Sequence, residues 1–92
     1  MILSTIEIEK ALDSDLNNWR FVDSKIERFI SRDKDISLST IVKKIWDYAE
    51  EVDHHPDILL TYSGIKITLF THDEFGVTEK DISFANALNN IC

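Results

Sequence analysis

In three parts of the chain apolar residues recur at steps of three and four, the spacing that places them on one face of an α-helix. The first predicted helix begins at Ser4, because Ser4 with Glu7 three residues later has the pattern of a capping box, and it ends near Asp13. The second is the longest and is capped by Ser37 or Ser39. The apolar faces comprise Ile8, Ala11 and Leu12, then Leu38, Ile41, Val42, Ile45, Ala49 and Val52, then Ile82, Ala85, Leu88 and Ile91.

Between these helices, two pairs of strand-forming segments predict two β-hairpins. Residues 25–30 alternate between apolar and polar side chains after turn residues at 23–24, and the preceding residues can pair with them. The clearer hairpin comprises residues 58–62 and 65–71, joined by a Ser-Gly turn. The order α-β-β-α-β-β-α predicts one α+β domain over residues 1–92, with a four-stranded antiparallel sheet backed by three helices.

Composition narrows the classes of molecule that the protein is expected to bind and the cellular compartment in which we expect it. The net charge of −7 and the lack of clustered Lys and Arg argue against direct binding to nucleic acid or to anionic membranes. No apolar run approaches the roughly 20 residues that span a bilayer, and the single cysteine, Cys92, permits no internal disulfide, so we expect a cytoplasmic protein. Because a chain of 92 residues exposes much of its surface, we expect a homo-oligomer, either a dimer or a tetramer.

The histidines are the main indication of chemistry. His54 and His55 are adjacent at the end of the second helix, Pro56 prevents that helix from continuing, and Glu50 lies four residues before His54. His72 follows the last strand, on the face opposite the apolar one. A single histidine is more often structural, but three in one stretch indicate acid–base work, because imidazole exchanges protons near neutral pH.

The spacing of these residues resembles a known signature, that of the pterin-4a-carbinolamine dehydratases. Residues 71–82 also resemble that family, and the likeness continues more weakly upstream through Trp19 and residues 26–29. The resemblance implies the same α+β fold and a homotetramer built from dimers. The pattern is Glu50, three residues, His54-His55-Pro56, five residues, Tyr62, nine residues, His72, eight residues and Asp81.

The resemblance also implies a reaction and a role for each residue of the pattern. The family removes water from a 4a-hydroxytetrahydropterin, as in tetrahydrobiopterin recycling, and needs no cofactor beyond this pterin substrate. By resemblance His54 and His72 are the general acid and base, in an order that the sequence leaves open. His55 holds the 4a-hydroxyl or orients the substrate, and Glu50 supports the site. We expect Glu50 to pair with His54, because a carboxylate selects the imidazole tautomer.

Five further residues are candidates for the site or the core, and most of them have two interpretations. Trp19, Lys80 and Thr71 are the candidate substrate-binding residues. We favour Trp19 as a core aromatic, which is compatible with its forming a wall of the pterin pocket, and Lys80 can equally be a solvated lysine. For Asp81 we favour a capping carboxylate in the first turn of the third helix over a catalytic one. The aromatic residue Trp46 in the second helix is interpreted as core or interface.

Two rival functions remain. Three histidines and Glu50 could bind zinc by number, but the adjacent pair lacks the helical His-x-x-x-His spacing, so we expect no metal. Members of the resembled family also act as non-catalytic binding modules, as dimerisation or assembly cofactors of other proteins. The complete set of Glu50 and three histidines favours the enzyme, and a binding role would use the exposed face of the second helix.

Overall fold

The computed structural model describes residues 1–91 and confirms the predicted α+β order of elements. Three helices and four strands alternate as α-β-β-α-β-β-α, and the strands form one antiparallel sheet in the order β1-β2-β4-β3. No helix within residues 1–91 is long and apolar enough to cross a bilayer. The elements are α1 (Thr5–Asp15), β1 (Arg20–Val22), β2 (Lys25–Ser31), α2 (Leu38–Val52), β3 (Asp57–Thr61), β4 (Gly64–Leu69) and α3 (Glu79–Ile91).

The predicted helix caps form as local hydrogen bonds. The Ser4 hydroxyl accepts from the backbone N–H of Glu7, and the Glu7 carboxylate accepts from the N–H of Ser4. This backbone hydrogen bond from Ser4 holds the pKa of Glu7 below its usual value, because it stabilises the ionised carboxylate. The Ser37 hydroxyl caps α2 by accepting from the N–H of Thr40. Both helices therefore begin where short-range hydrogen bonding alone favours a start.

One side of the sheet carries the helices and forms the core. Ile65, Ile67 and Leu69 of β4 are fully buried, whereas Lys66 between them is exposed, as the alternation of a half-buried strand predicts. Strand β4 ends at Leu69, two residues earlier than predicted, because its partner β2 pairs only as far as Ile26 opposite Leu69. The other buried apolar residues are Ile8, Leu12, Leu16, Trp19, Ile26, Leu38, Ile45, Ala49, Val77, Ile82, Phe84, Ala85 and Leu88.

The end of α2 is shaped by a left-handed residue. Asp53 adopts φ 53° and ψ 43°, and its N–H donates to the carbonyl of Ala49, which closes the last turn. The N–H of His54 donates to the same carbonyl at 3.1 Å. The chain then leaves the helix axis, and Pro56 directs it into β3. His54 and His55 therefore lie between the end of a helix and the start of a strand.

We expect Gly64→Ala to destabilise the fold by at least about 2 kcal/mol, because φ near +150° is open essentially to glycine alone. A Cβ there would also overlap the carbonyl oxygen of Ile30, which belongs to the neighbouring strand. Gly76→Ala is the matched control. The three atoms nearest to its Cβ would all belong to the exposed side chain of Ile2, the first at 2.9 Å, and its φ is not positive, so the cost should stay below about 1 kcal/mol. Urea unfolding measures both values, and equal losses would contradict the interpretation.

Candidate active site

His54 makes the most buried polar contact near the end of α2. Its Nε2 lies 2.7 Å from Oδ1 of Asp81, and the two side chains are only 13% and 0% exposed. The ring of Phe84 lies behind His54, with the ring centroids 6.2 Å apart. The imidazole is therefore held by a carboxylate of α3 and packed against an aromatic ring of the same helix.

Asp81 has three partners, and they determine the direction of each hydrogen bond. Its Oδ2 accepts from the backbone N–H of Thr78 at 2.9 Å and from the hydroxyl of Thr71 at 2.7 Å. Because the Thr71 hydroxyl donates its only hydrogen to Asp81, the Thr78 hydroxyl donates to Thr71 across 2.8 Å. The remaining oxygen, Oδ1, faces Nε2 of His54. These hydrogen bonds hold the buried carboxylate of Asp81 in place, and the carboxylate in turn fixes the orientation of the His54 imidazole.

His55 has a second and separate carboxylate. Its Nε2 lies 3.0 Å from Oε2 of Glu50, and its ring packs against Trp46 with centroids 4.9 Å apart. The expected pairing of Glu50 with His54 is therefore wrong. The spacing of four residues would place them together only if α2 continued, but α2 ends at Val52, and the buried Asp81 takes His54 instead.

His72 is exposed and lies at the start of the loop between β4 and α3. Its ring contacts Phe70 edge-on, with centroids 5.1 Å apart, and no hydrogen bond joins it to another group within residues 1–91. The loop is closed by the pairing of Thr71 with Gly76, in which the N–H of Thr71 donates to the Gly76 carbonyl. Thr71 immediately precedes His72 and donates a hydrogen bond to Asp81. The carboxylate that holds His54 therefore also anchors the residue next to His72.

The three histidines line one open cleft of about 320 Å³. Its volume falls at the lower end of the range of small-molecule sites. No group of three metal-ligating side chains is assembled within residues 1–91. The cleft is lined by His54, His55 and His72, together with Trp46, Asp53, Pro56, Asp57, Thr71, Asp73 and Lys80.

The comparisons with known proteins agree over almost the whole chain. The family model described as pterin 4 alpha carbinolamine dehydratase matches residues 1–91. The chain belongs to this family. A protein of Herpetosiphon aurantiacus called "Putative pterin-4-alpha-carbinolamine dehydratase" is 37% identical, covering 98% of this chain and 93% of its own. A protein of Sulfolobus acidocaldarius with the same name is 34% identical over 99% of both chains.

A solved structure shows the same architecture. The crystal structure of a transcriptional coactivator/pterin dehydratase from Brucella melitensis superposes with a TM-score of 0.89 and 34% sequence identity. The match covers 99% of this chain and 98% of that one. The pterin 4 alpha carbinolamine dehydratase fold therefore extends through the whole described chain.

The histidine cleft contains most, but not all, of the residues predicted from the sequence. The histidines, Thr71 and Lys80 line it, and Glu50 reaches it through His55. Trp19 does not line it, because it is packed into the core with only 4% exposure and lies near α1. Of its two interpretations, the structure places Trp19 as a core aromatic.

Two residues at the site were given other roles in the sequence analysis. Asp81 does cap α3, as expected, but its second oxygen also holds His54, which the capping pattern alone did not indicate. The only available signal was its place in the family pattern. Trp46, interpreted as core or interface, instead lines the cleft beside His55.

We expect Asp81→Ala to lower the free energy of unfolding by about 2–4 kcal/mol, because it leaves the donors of Thr71, Thr78 and His54 without their acceptor. Asp73→Ala is the matched control. Asp73 is an exposed acidic residue of the adjoining loop, and its loss should change stability by less than about 0.5 kcal/mol. Denaturant unfolding followed by circular dichroism measures both. Similar values for the two variants would show that the carboxylate of Asp81 is not a structural centre.

Proposed function

We propose that this chain catalyses the dehydration of a 4a-hydroxytetrahydropterin to the quinonoid dihydropterin, as a hydro-lyase in tetrahydrobiopterin recycling. The observation that supports this most directly is the convergence of His54, His55 and His72 on one cleft. Membership of the dehydratase family supports the same reaction. The pterin is the substrate, and the proposal requires no other cofactor.

The reaction needs one proton delivered and one removed. The bond between C4a and its hydroxyl oxygen breaks, and a general acid protonates this oxygen so that it leaves as water. The N5–H bond loses its proton to a general base, and the electron pair forms the new C4a=N5 double bond. The charge of the pterin is unchanged, so two histidines in opposite protonation states meet every requirement. Each such group contributes typically about 10²–10⁴-fold.

The surroundings of His54 and His72 suit these two roles. His54 is oriented by Asp81 through Nε2, so Nδ1 is the ring atom left for the substrate. The carboxylate also stabilises the positive charge that forms whenever His54 carries a second proton. His72 is exposed, which allows it to exchange protons with water between turnovers.

His55 fits a substrate-orienting role better than a proton-transfer one. Its ring is fixed on one side by Glu50 and on the other by Trp46. We therefore assign His55 to the 4a-hydroxyl or to the orientation of the pterin, with Thr71 and Lys80 as additional cleft residues. An imidazole held by two neighbours offers a fixed hydrogen-bonding position, which is what orientation of a substrate requires.

We also propose that the chain works as a homo-oligomer, a homotetramer of dimers by resemblance to its family. Support comes from β3, an edge strand that leaves Leu59 and Leu60 exposed to solvent. Exposed apolar edge strands are usually covered by a partner.

The second candidate function is a protein-binding module that stabilises another protein's dimer or assembly. It is favoured by one observation, that the similar Brucella melitensis structure is described as both a transcriptional coactivator and a pterin dehydratase. The two functions are compatible, since the cleft occupies only one end of α2.

The decisive test is the rate of dehydration of freshly generated 4a-hydroxytetrahydropterin. We expect the wild-type chain to exceed buffer, and His54→Gln and His72→Ala each to lose at least about tenfold in kcat, because each removes a group that transfers a proton. Glutamine at position 54 can still donate to Asp81, so the fold is retained. Lys34→Ala, in the exposed loop before α2, serves as control and should match the wild type.

A folded wild-type chain that is no faster than buffer would overturn the enzymatic proposal. The search would then turn to protein partners of α2. Loss of activity in the Lys34 control as well would show that the assay reports stability rather than chemistry.

A further inference from the structure

Trp46 occupies an unusual place for a tryptophan in a helix with a strongly apolar face. Its neighbours Ile45 and Ala49 are completely buried, but Trp46 is 43% exposed and lines the histidine cleft. Among residues 1–91, it is the only phenylalanine, tyrosine or tryptophan in that lining. A large indole left open to solvent forgoes the stabilisation that burial of its apolar surface provides. Contact with a ligand therefore explains the position of Trp46 better than a role in stabilising the fold does.

The contact with His55 leaves part of the indole available. The two ring centroids are 4.9 Å apart, but the planes are inclined at 57° to each other, so the rings do not stack face to face. Glu50 holds the imidazole through Nε2, so the His55 side of this contact is anchored by a hydrogen bond. Trp46 and His55 thus form two adjoining aromatic walls of the cleft.

We propose that Trp46 is a substrate-binding residue on whose indole face the bicyclic ring of the pterin packs. This inference rests on the proposed function, because it takes a pterin as the ligand. A pterin is a flat, polar heteroaromatic ring, similar in this respect to a nucleobase. The stacking of such rings on aromatic side chains contributes about 1–3 kcal/mol. The other lining residues are mostly polar and can form hydrogen bonds with the edges of the pterin ring, whereas the indole of Trp46 can pack against its face.

Stacking of this kind has a recognisable kinetic signature. The pterin ring is present in the substrate and in the transition state, so a contact with its face stabilises both to a similar extent. Loss of the contact should therefore raise KM and Kd while kcat stays nearly constant. A residue that acted only by holding His55 against the 4a-hydroxyl would produce the opposite pattern, a fall in kcat with little change in the Kd of a pterin that lacks this hydroxyl.

The experiment compares Trp46→Leu and Trp46→Phe with the wild-type chain. The Kd is measured by titration calorimetry with a fully oxidised pterin, which has no 4a-hydroxyl to lose, and kcat and KM come from the dehydration assay. We expect Trp46→Leu to weaken binding about tenfold, which corresponds to about 1.4 kcal/mol. Trp46→Phe keeps an aromatic face and should weaken binding by less than about threefold. Phe29→Leu, which removes an exposed aromatic ring outside the cleft, should leave Kd and KM unchanged.

Several results would overturn the inference. These are an unchanged Kd in Trp46→Leu, a fall in kcat without a change in Kd, equal losses in Trp46→Leu and Phe29→Leu, and no pterin binding by the wild-type chain. The two proposals can fail separately. Pterin binding that depends on Trp46 in a chain without dehydratase activity would keep this inference and reject the reaction. Dehydration that is insensitive to Trp46 would do the reverse.

Discussion

The candidate site depends on one buried carboxylate. Asp81 is completely inaccessible to solvent, and it accepts hydrogen bonds from the loop before α3 and faces the imidazole of His54. A carboxylate in such a place is tolerated only when its partners replace the water it has lost. Thr71, Thr78 and His54 are these partners. The same contacts bring together the end of α2, the end of β4 and the start of α3. The hydrogen bonds of Asp81 therefore both stabilise the fold and set the geometry of the site.

The three histidines differ in how firmly they are held. His54 is nearly buried against Asp81, His55 is half-buried between Glu50 and Trp46, and His72 is exposed beside Phe70. Delivery of one proton and removal of another require two separately placed groups. The cleft therefore contains an oriented imidazole at His54, a second one held by hydrogen bonding and packing at His55, and a third at His72 that is open to water.

The site occupies a limited part of the molecular surface. The cleft lies where α2, β4 and α3 end or begin, and of the edge strand β3 only its first residue, Asp57, lines it. Function is carried by such sites rather than by the fold itself. A solved structure with the same architecture is described as both a transcriptional coactivator and a pterin dehydratase.

Much of the local structure followed from the sequence. The capping box at Ser4, the apolar stripe of α2, the turn at Gly64 and the adjacent His54 and His55 at the end of α2 all depend on neighbours within a few residues. The periodicity of apolar residues indicates which face of a helix or strand is buried, and this pattern can be read from residues close together in the sequence. The family pattern added the expectation that these histidines meet.

Only the tertiary structure decided which side chains pair across the fold. His54 and Asp81 are separated by 27 positions, and nothing local indicates that Asp81 would take this histidine while Glu50 takes the next one. The same holds for the two tryptophans, since Trp19 lies in the core and Trp46 in the cleft. A residue's own sequence neighbours determine its secondary structure, but its partners depend on how whole helices and strands pack. Here the left-handed conformation of Asp53 ends α2 and sets the direction in which His54 and His55 leave the helix.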